Sequence, residues 1–264
     1  MNIADITITS LETITAFNIT TGAFKFVLDE LQNASIAQSQ EVTDITGKQG
    51  RKLASLKRNK QVTISGTNGI VSSGLLELQT GSEFESKATE VLWTDYLTVN
   101  DSHEATTSWK AIGTTGAEID ALYVKNNDGT LGTKLEQASS VSAGKFTYTP
   151  ASKKITLHTD IVAGSELVVF YKRKITADVL SDESDTYSDK CALYIDAIGE
   201  DRCANVYRIQ FYVPKADFSG DFTFEMGDNQ TVHSFEATAL GGACGAASSF
   251  FTYTIFGVET ADAE

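Results

Sequence analysis

The stretch GKQGRKLASLKRNKQVTISGTNGIVSSGLLELQTG, Gly47 to Gly81, decides the fold class. Its first half, Lys52 to Ser65, tolerates helix around LASLKR, but Gln61-Val62-Thr63-Ile64 is β-branched and alternating, so one long strand is expected. Ser65-Gly66-Thr67-Asn68 is turn-forming. From Gly69 to Thr80 the residues Ile70, Gly74 or Leu75, and Leu78 fall at helical spacing, and Gly81 follows as a stop, which predicts one short helix.

Upstream, Ala23 to Leu31 (AFKFVLDEL) alternates Phe24, Phe26 and Leu28 with Lys25, Val27 and Asp29, the period of a half-buried strand. Ala34 to Val42 alternates more weakly, and Asp44 to Gly50 (DITGKQG) carries loop signals. Downstream, Ala88 to Val99 is β-favouring. Asn100 to Gly116 is polar and turn-rich. Short strands are expected at Ile119 to Val124, Lys145 to Thr149, Lys154 to His158 and Ser165 to Tyr171, separated by turns such as Asn127-Asp128-Gly129 and forming a meander. The acidic run Asp178 to Asp189 reads as a connection. Cys191 to Ile198 and Cys203 to Val213 flank a Gly199-Glu200-Asp201 turn, and Asp221 to Met226, Val232 to Leu240 and Phe250 to Val258 complete the series. The aromatic positions in the last of these (SFFTYTIF) are expected to have both faces covered. Ten to twelve strands with one short helix make an all-β fold, a β-sandwich or barrel, and leave too few helices for a doubly wound α/β enzyme.

Composition agrees with this reading. The 264 residues, 41% hydrophobic and 21% charged, suffice to bury a core. Two prolines against 20 glycines leave the turns to Gly and Asx residues. Thirty-five acidic residues against 21 basic ones give a net charge of −14, which opposes gripping nucleic acid by charge neutralisation. No run approaches the roughly 20 apolar residues that span a bilayer, and MNIADITITS lacks the pattern of a secretory signal, so the chain is expected to stay in a cytoplasm.

Chemistry-bearing motifs are sparse. Cys191, Cys203 and Cys244 form no C-x-x-C pair and read as buried free thiols. His103, His158 and His233 have no companion at a metal-ligand spacing, and His158 and His233 lie in strand patterns that favour outward or satisfied positions. Asp182, Glu183 and Asp185 depart from the calcium-loop spacing and read as a solvated loop. Nucleophile-elbow and phosphate-loop motifs are missing, so no cofactor, metal or catalytic residue is expected. The sharpest feature is basic: Lys48, Arg51, Lys52, Lys57, Arg58 and Lys60 put six of the 21 basic residues into thirteen positions. It reads equally as a solvated face with lysines guarding an edge or as a patch for the acidic surface of an identical neighbour.

The Gly47 to Gly81 stretch resembles the N-terminal half of the tail tube, or major tail, proteins of long-tailed bacteriophages, in which a long loop and a lysine-rich strand lead through an S-G-T-N turn into a short helix. SGDFTFEMGDNQTVHSFEATAL, Ser219 to Leu240, is similar to the family's two closing strands, and with Ala192 to Val213 these regions cover over half the chain. The resemblance implies a β-sandwich or barrel core over 1–99 and 177–264, with 100–176 an inserted β region or surface decoration. It implies six copies in a ring, rings stacked into a hollow tube for DNA and a tape measure protein, and a place in the virion. It gives the loop Asp44 to Arg58 the ring-stacking role, with Lys48, Arg51, Lys52, Lys57 and Arg58 facing acidic groups of the next ring. Competing readings are another self-assembling structural protein (a terminator, a capsid decoration or a contractile-type inner tube) and a carbohydrate-binding module using Trp93 and Trp109. An enzyme ranks last. Trp93, in VLWTDYL, is expected in the core.

Overall fold

Strand alternation turns Ile14 and Ala16 of β1 (Ile6–Asn18), Phe26 and Leu28 of β2 (Phe24–Leu28) and Val62 and Ile64 of β4 (Lys52–Asn68) into one core, with Ile36 of β3 (Leu31–Thr46) packed against it. In this computed structural model, which describes residues 5–225, 232–241 and 249–257, Val62 and Ile64 of β4 are fully buried beside Ile14, Phe26 and Leu28. A short helix, α1 (Ser73–Thr80), follows β4. The chain then runs through β5 (Glu85–Thr98), β6 (Glu104–Thr106), β7 (Ile119–Lys125), β8 (Leu131–Gln137), β9 (Lys145–Thr149), β10 (Lys154–Leu157) and β11 (Glu166–Val179). It closes with β12 (Lys190–Asp201), β13 (Val206–Phe218), β14 (Phe224–Glu225), β15 (Val232–Ala239) and β16 (Thr252–Gly257). Strand makes up 62% and helix 5%, a mainly-β fold as the turn chemistry and alternation predict.

The chain divides into two compact units, Met1–Phe84 with Leu180–Glu264, and Glu85–Val179. The first holds a sheet of order β2-β1-β12-β13-β15-β4-β3, with β16 also on β13 and β14 on β15, curled into a half-barrel. Its core joins β1, β2 and β4 to Leu193, Ile195, Val213, Phe218 and Phe235, with Leu75 and Leu78 of α1 packed in. The second holds a sheet of order β5-β11-β7-β8-β9-β10-β6, with its own core of Leu122, Phe146, Ile155, Leu167, Val169 and Tyr171. Its β8 and β9 run parallel, so it is not the simple meander that the turns suggest.

Helix α1 begins and ends as its residues dictate. Ser72 Oγ accepts from the Leu75 N–H, and Gly81 closes the helix in the left-handed region (φ 71°), its N–H donating to the Glu77 carbonyl. Gln79 reaches back to His233, which is fully buried: the Ser72 N–H donates to Nδ1 and Nε2 lies 2.8 Å from Gln79 Oε1. Burial pushes the His233 pKa down, so the ring stays neutral as a satisfied structural contact.

Several boundaries move. Ser65 to Asn68 is strand rather than turn, because Gly66 lies flat beneath the Phe235 ring, where a side chain would collide with it and with the Asn33 carbonyl. Ala23 to Leu31 breaks at Asp29 and Glu30, ending β2 and beginning β3. The turn after β12 falls at 202–205, where the Asp201 carboxylate accepts from the N–H groups of Cys203 and Asn205, so Gly199 to Asp201 remain in the strand. β8 lies in a stretch read as turn. Cys191 is buried, with its thiol pushed up to about 12 by desolvation, but Cys203 sits exposed in that 202–205 turn, against the expectation of burial; Cys244 lies outside the described residues, as do Met226 and Val258.

A Cβ at position 81 would come within 2.1 Å of the Tyr187 carbonyl oxygen in addition to forcing a positive φ on an L-residue. Gly81→Ala is therefore expected to destabilise the protein by about 2 kcal/mol or more, read as a lowered denaturant midpoint. An unchanged midpoint would count against this packing of the helix end.

Candidate functional site

Strand β4 changes character along its length. From Val62 to Asn68 it lies between β3 and β15. From Gln61 outward to Lys52 it pairs, among the described residues, with β3 alone: Gln61, Arg58 to Ala54 and Lys52 are in register, while Lys60, Asn59 and Leu53 fall at the two register shifts of a two-stranded ribbon. The departure is marked by a register shift between Ser39 and Glu41 and by Asn59 at φ 52°. Ten residues at about 3.3 Å each make an arm roughly 33 Å long. Its tip is a single turn, Lys48–Gly50, closed by the Gly47 N–H donating to the Arg51 carbonyl. The expected loop from Asp44 is thus a hairpin: β3 runs to Thr46, because the Val42, Thr43 and Ile45 side chains favour strand and pair with Lys57, Leu56 and Ala54.

The structure distributes the predicted basic residues along this arm. Lys48, Arg51 and Lys52 gather at the tip, while Lys57 and Arg58 sit roughly 16 Å further down the strand, so they form an exposed stripe rather than one cluster. Lys52 Nζ lies 2.7 Å from Asp44 Oδ1, and Ser55 Oγ donates to the same oxygen at 2.8 Å. Those two bonds hold the Asp44 carboxyl below its ordinary value. Arg58 Nη2 donates to Thr43 Oγ1, and Asn59 donates to Glu41. Lys48, Arg51 and Lys57 have no carboxylate partner among the described residues. Lys60, at the base, stands 5.6 Å over the Phe250 ring.

Sequence reading missed the apolar half of the arm. Val42, Ile45, Leu53 and Leu56 are all about half exposed or more, interleaved with the charges. In EVTDIT and KLASLK these residues stand three apart, Val42 to Ile45 and Leu53 to Leu56, so the signal lay in apolar residues set among charges and not in a one-faced alternation. An isolated two-stranded ribbon is marginal in water, and these side chains gain little cover from the described residues.

Two further features of the first unit are open. Among the described residues β3 has a neighbour on one side only, as does β1 along Ile6–Thr13. Between them lies a groove of about 490 Å³ lined by Ile8, Leu11, Ala34, Ile36, Ile195, Phe211 and others. β16, whose aromatic residues imply two covered faces, leaves Tyr253 and Phe256 more than 40% exposed, because among the described residues it pairs with β13 alone. Charge is polarised as well: outside residues 38–61 the first unit has five basic residues against 21 acidic ones. His158 contacts Asp160, and no cluster of metal-ligating side chains occurs among the described residues.

The sequence model of the YomU/Tube protein family matches residues 6–249, a span that takes in both units, the arm and β15. The chain belongs to the YomU/Tube protein family. The tail tube resemblance of Gly47 to Gly81 and Ser219 to Leu240 is borne out at the level of the family, which marks the chain as a phage tube protein with a structural role in the tail. No curated protein matches the chain.

If Lys52 is the main support of the Asp44 carboxylate, Lys52→Ala should move the Asp44 titration upward toward the usual carboxylate range, followed by carboxyl carbon NMR. Because the folded pKa lies below the unfolded one, any pairing this bridge gives the arm is present above the ordinary carboxylate pKa and lost as pH falls through the folded value. A titration indifferent to Lys52 would contradict the pairing.

Proposed function

We propose that the chain is the repeating subunit of a hollow phage tail tube: six copies close into a ring, rings stack, and DNA and a tape measure protein occupy the lumen. The single observation that carries this reading is the free basic and apolar hairpin arm on a unit that is otherwise strongly acidic. An arm of this length fits a surface of another copy, since one chain offers both the basic stripe and an excess of carboxylates. Residues Lys48, Arg51, Lys52, Lys57 and Arg58 make the charged contacts to the adjacent ring, and Val42, Ile45, Leu53 and Leu56 bury against it. Exposed ion pairs contribute about 0–1 kcal/mol each, so the apolar side chains supply most of the affinity and the charges supply register and rate.

Ring closure has its own rationale. Unpaired edges on β1 and β3 are a template for uncontrolled pairing, and a cyclic assembly removes them by pairing each edge with the next copy. Tyr253 and Phe256 on β16 gain cover in the same way. A lumen lined from the acidic body repels phosphate and lets DNA slide. Residues 100–176, within the second unit, then decorate the outer surface. Assembly takes place in the host cytoplasm before the tube is joined to the virion.

Charge reversal tests this reading. Arg51→Glu with Lys52→Glu should abolish or strongly reduce tubes in negative-stain electron micrographs at physiological salt, while the unfolding midpoint stays at that of the parent protein. Tubes of normal length and number from the double variant would remove the stacking role of the arm tip. Closed rings that never stack would instead favour a terminator.

A further inference from the structure

The second unit carries an aromatic corner that tube assembly does not use. Trp93 on β5 pairs across the sheet with Tyr171 on β11, and Arg173, two residues on, emerges on the same face. Trp109 arrives from the segment between β6 and β7. The two indoles stand 6.4 Å apart at 83°, and the Arg173 guanidinium carbon lies 4.6 Å from the centre of the Trp93 ring and 4.0 Å from that of Trp109. Trp93, expected in the core, is 36% exposed, and Trp109 is 49% exposed, because both sit where the buried face of the β5–β11 pair runs out past Tyr171.

The corner is rigid. Asp95, nearly buried, accepts from the Trp93 indole N–H (3.0 Å), the Ser108 N–H (2.7 Å) and hydroxyl (2.8 Å), and the Tyr171 hydroxyl (2.8 Å). Burial pushes its carboxyl up, and these four donors outweigh that and hold it below the ordinary value. The Trp109 N–H donates to the Tyr171 oxygen and the Ala111 N–H to Tyr148. Arg173 contrasts with this saturation. Lys125 and Lys154 of the same unit each meet a glutamate at 2.7 Å, whereas the Arg173 guanidinium has no hydrogen bond or ion pair among the described residues, and its Nε is buried without a partner.

We propose that Trp93, Trp109 and Arg173 form a binding site for an acidic saccharide, one bearing a carboxylate or phosphate. A guanidinium stacked on indoles keeps its in-plane donors free, and that fork matches a carboxylate or phosphate. The indole area left exposed around the guanidinium, 36% of Trp93 and 49% of Trp109, offers apolar contact at little entropic cost for the C–H face of a single sugar ring. A peptide main chain is a poorer occupant, because the N–H groups of Ser108, Trp109 and Ala111 are all consumed internally and leave no ladder to extend.

These are the only two tryptophans in the chain, so tryptophan emission, excited selectively beyond the tyrosine absorption, reports on this corner alone. The full-length protein is titrated with a glucuronic acid oligosaccharide, a hexose phosphate, their neutral counterparts and an oligoglutamate peptide. A saturable emission change is expected with at least one acidic saccharide, at least tenfold weaker with its neutral counterpart and with Arg173→Gln, and undiminished in Lys172→Gln on the opposite face. The uronic acid and phosphate arms identify which acid group is bound. Absence of a saturable change with both acidic saccharides in the parent protein, equal binding of the peptide, or unaltered binding by a folded Arg173→Gln variant would overturn the proposal.

Discussion

Strand β4 has two neighbours along Val62–Asn68 and one along Lys52–Gln61, and the organisation of the first unit follows from that change. Where both neighbours are present, alternation drives Val62 and Ile64 into the core and backbone hydrogen bonds are satisfied on both sides. Where one is lost, the same strand becomes half of a ribbon with solvent on both faces. A ribbon of this kind gains little from its own hydrogen bonds, and its side chains bury little area within one subunit. Its charged and apolar side chains are mixed along the ribbon, and Val42, Ile45, Leu53 and Leu56 stay about half exposed or more.

The acidic body and the basic arm belong to the same argument. A net charge of −14 would simply repel identical chains, but with six of the first unit's 11 basic residues on the arm, the proposed contact between copies would be a directional attraction. Attraction of that kind selects orientation, while Leu53, Leu56, Val42 and Ile45 supply area. The open edges of β1 and β3 and the exposed rings of β16 lie on the same unit, so the proposed lateral and axial contacts would both draw on surfaces left uncovered within the described residues.

Much of this was legible in the residues, for reasons that can be named. Helix α1 was readable because its period and the Gly81 stop agree, and β9 because KFTYT alternates between turns. The basic residues were visible as a cluster, but their arrangement as a stripe was not, since it depends on where β3 stops. Asp44 to Gly50 looks like a loop by composition, and only pairing with β4 carries the strand to Thr46. Gly66 misled for a related reason: its lack of a side chain serves a close approach by Phe235, not a turn. Trp93 seemed a core residue because its neighbours in sequence are apolar, yet core ends at Tyr171 opposite it. Each miss is a case of tertiary neighbours overriding a local signal.

The central claim is that the arm is an interface between copies of the chain, and electron cryomicroscopy of the assembled protein tests it most directly. Stacked rings in which each β3–β4 arm crosses the ring boundary, with Arg51 and Lys52 against carboxylates of the next subunit and Leu53 and Leu56 buried, is the predicted result. Stacked rings joined through other surfaces, with the arms free in solvent, would contradict the account.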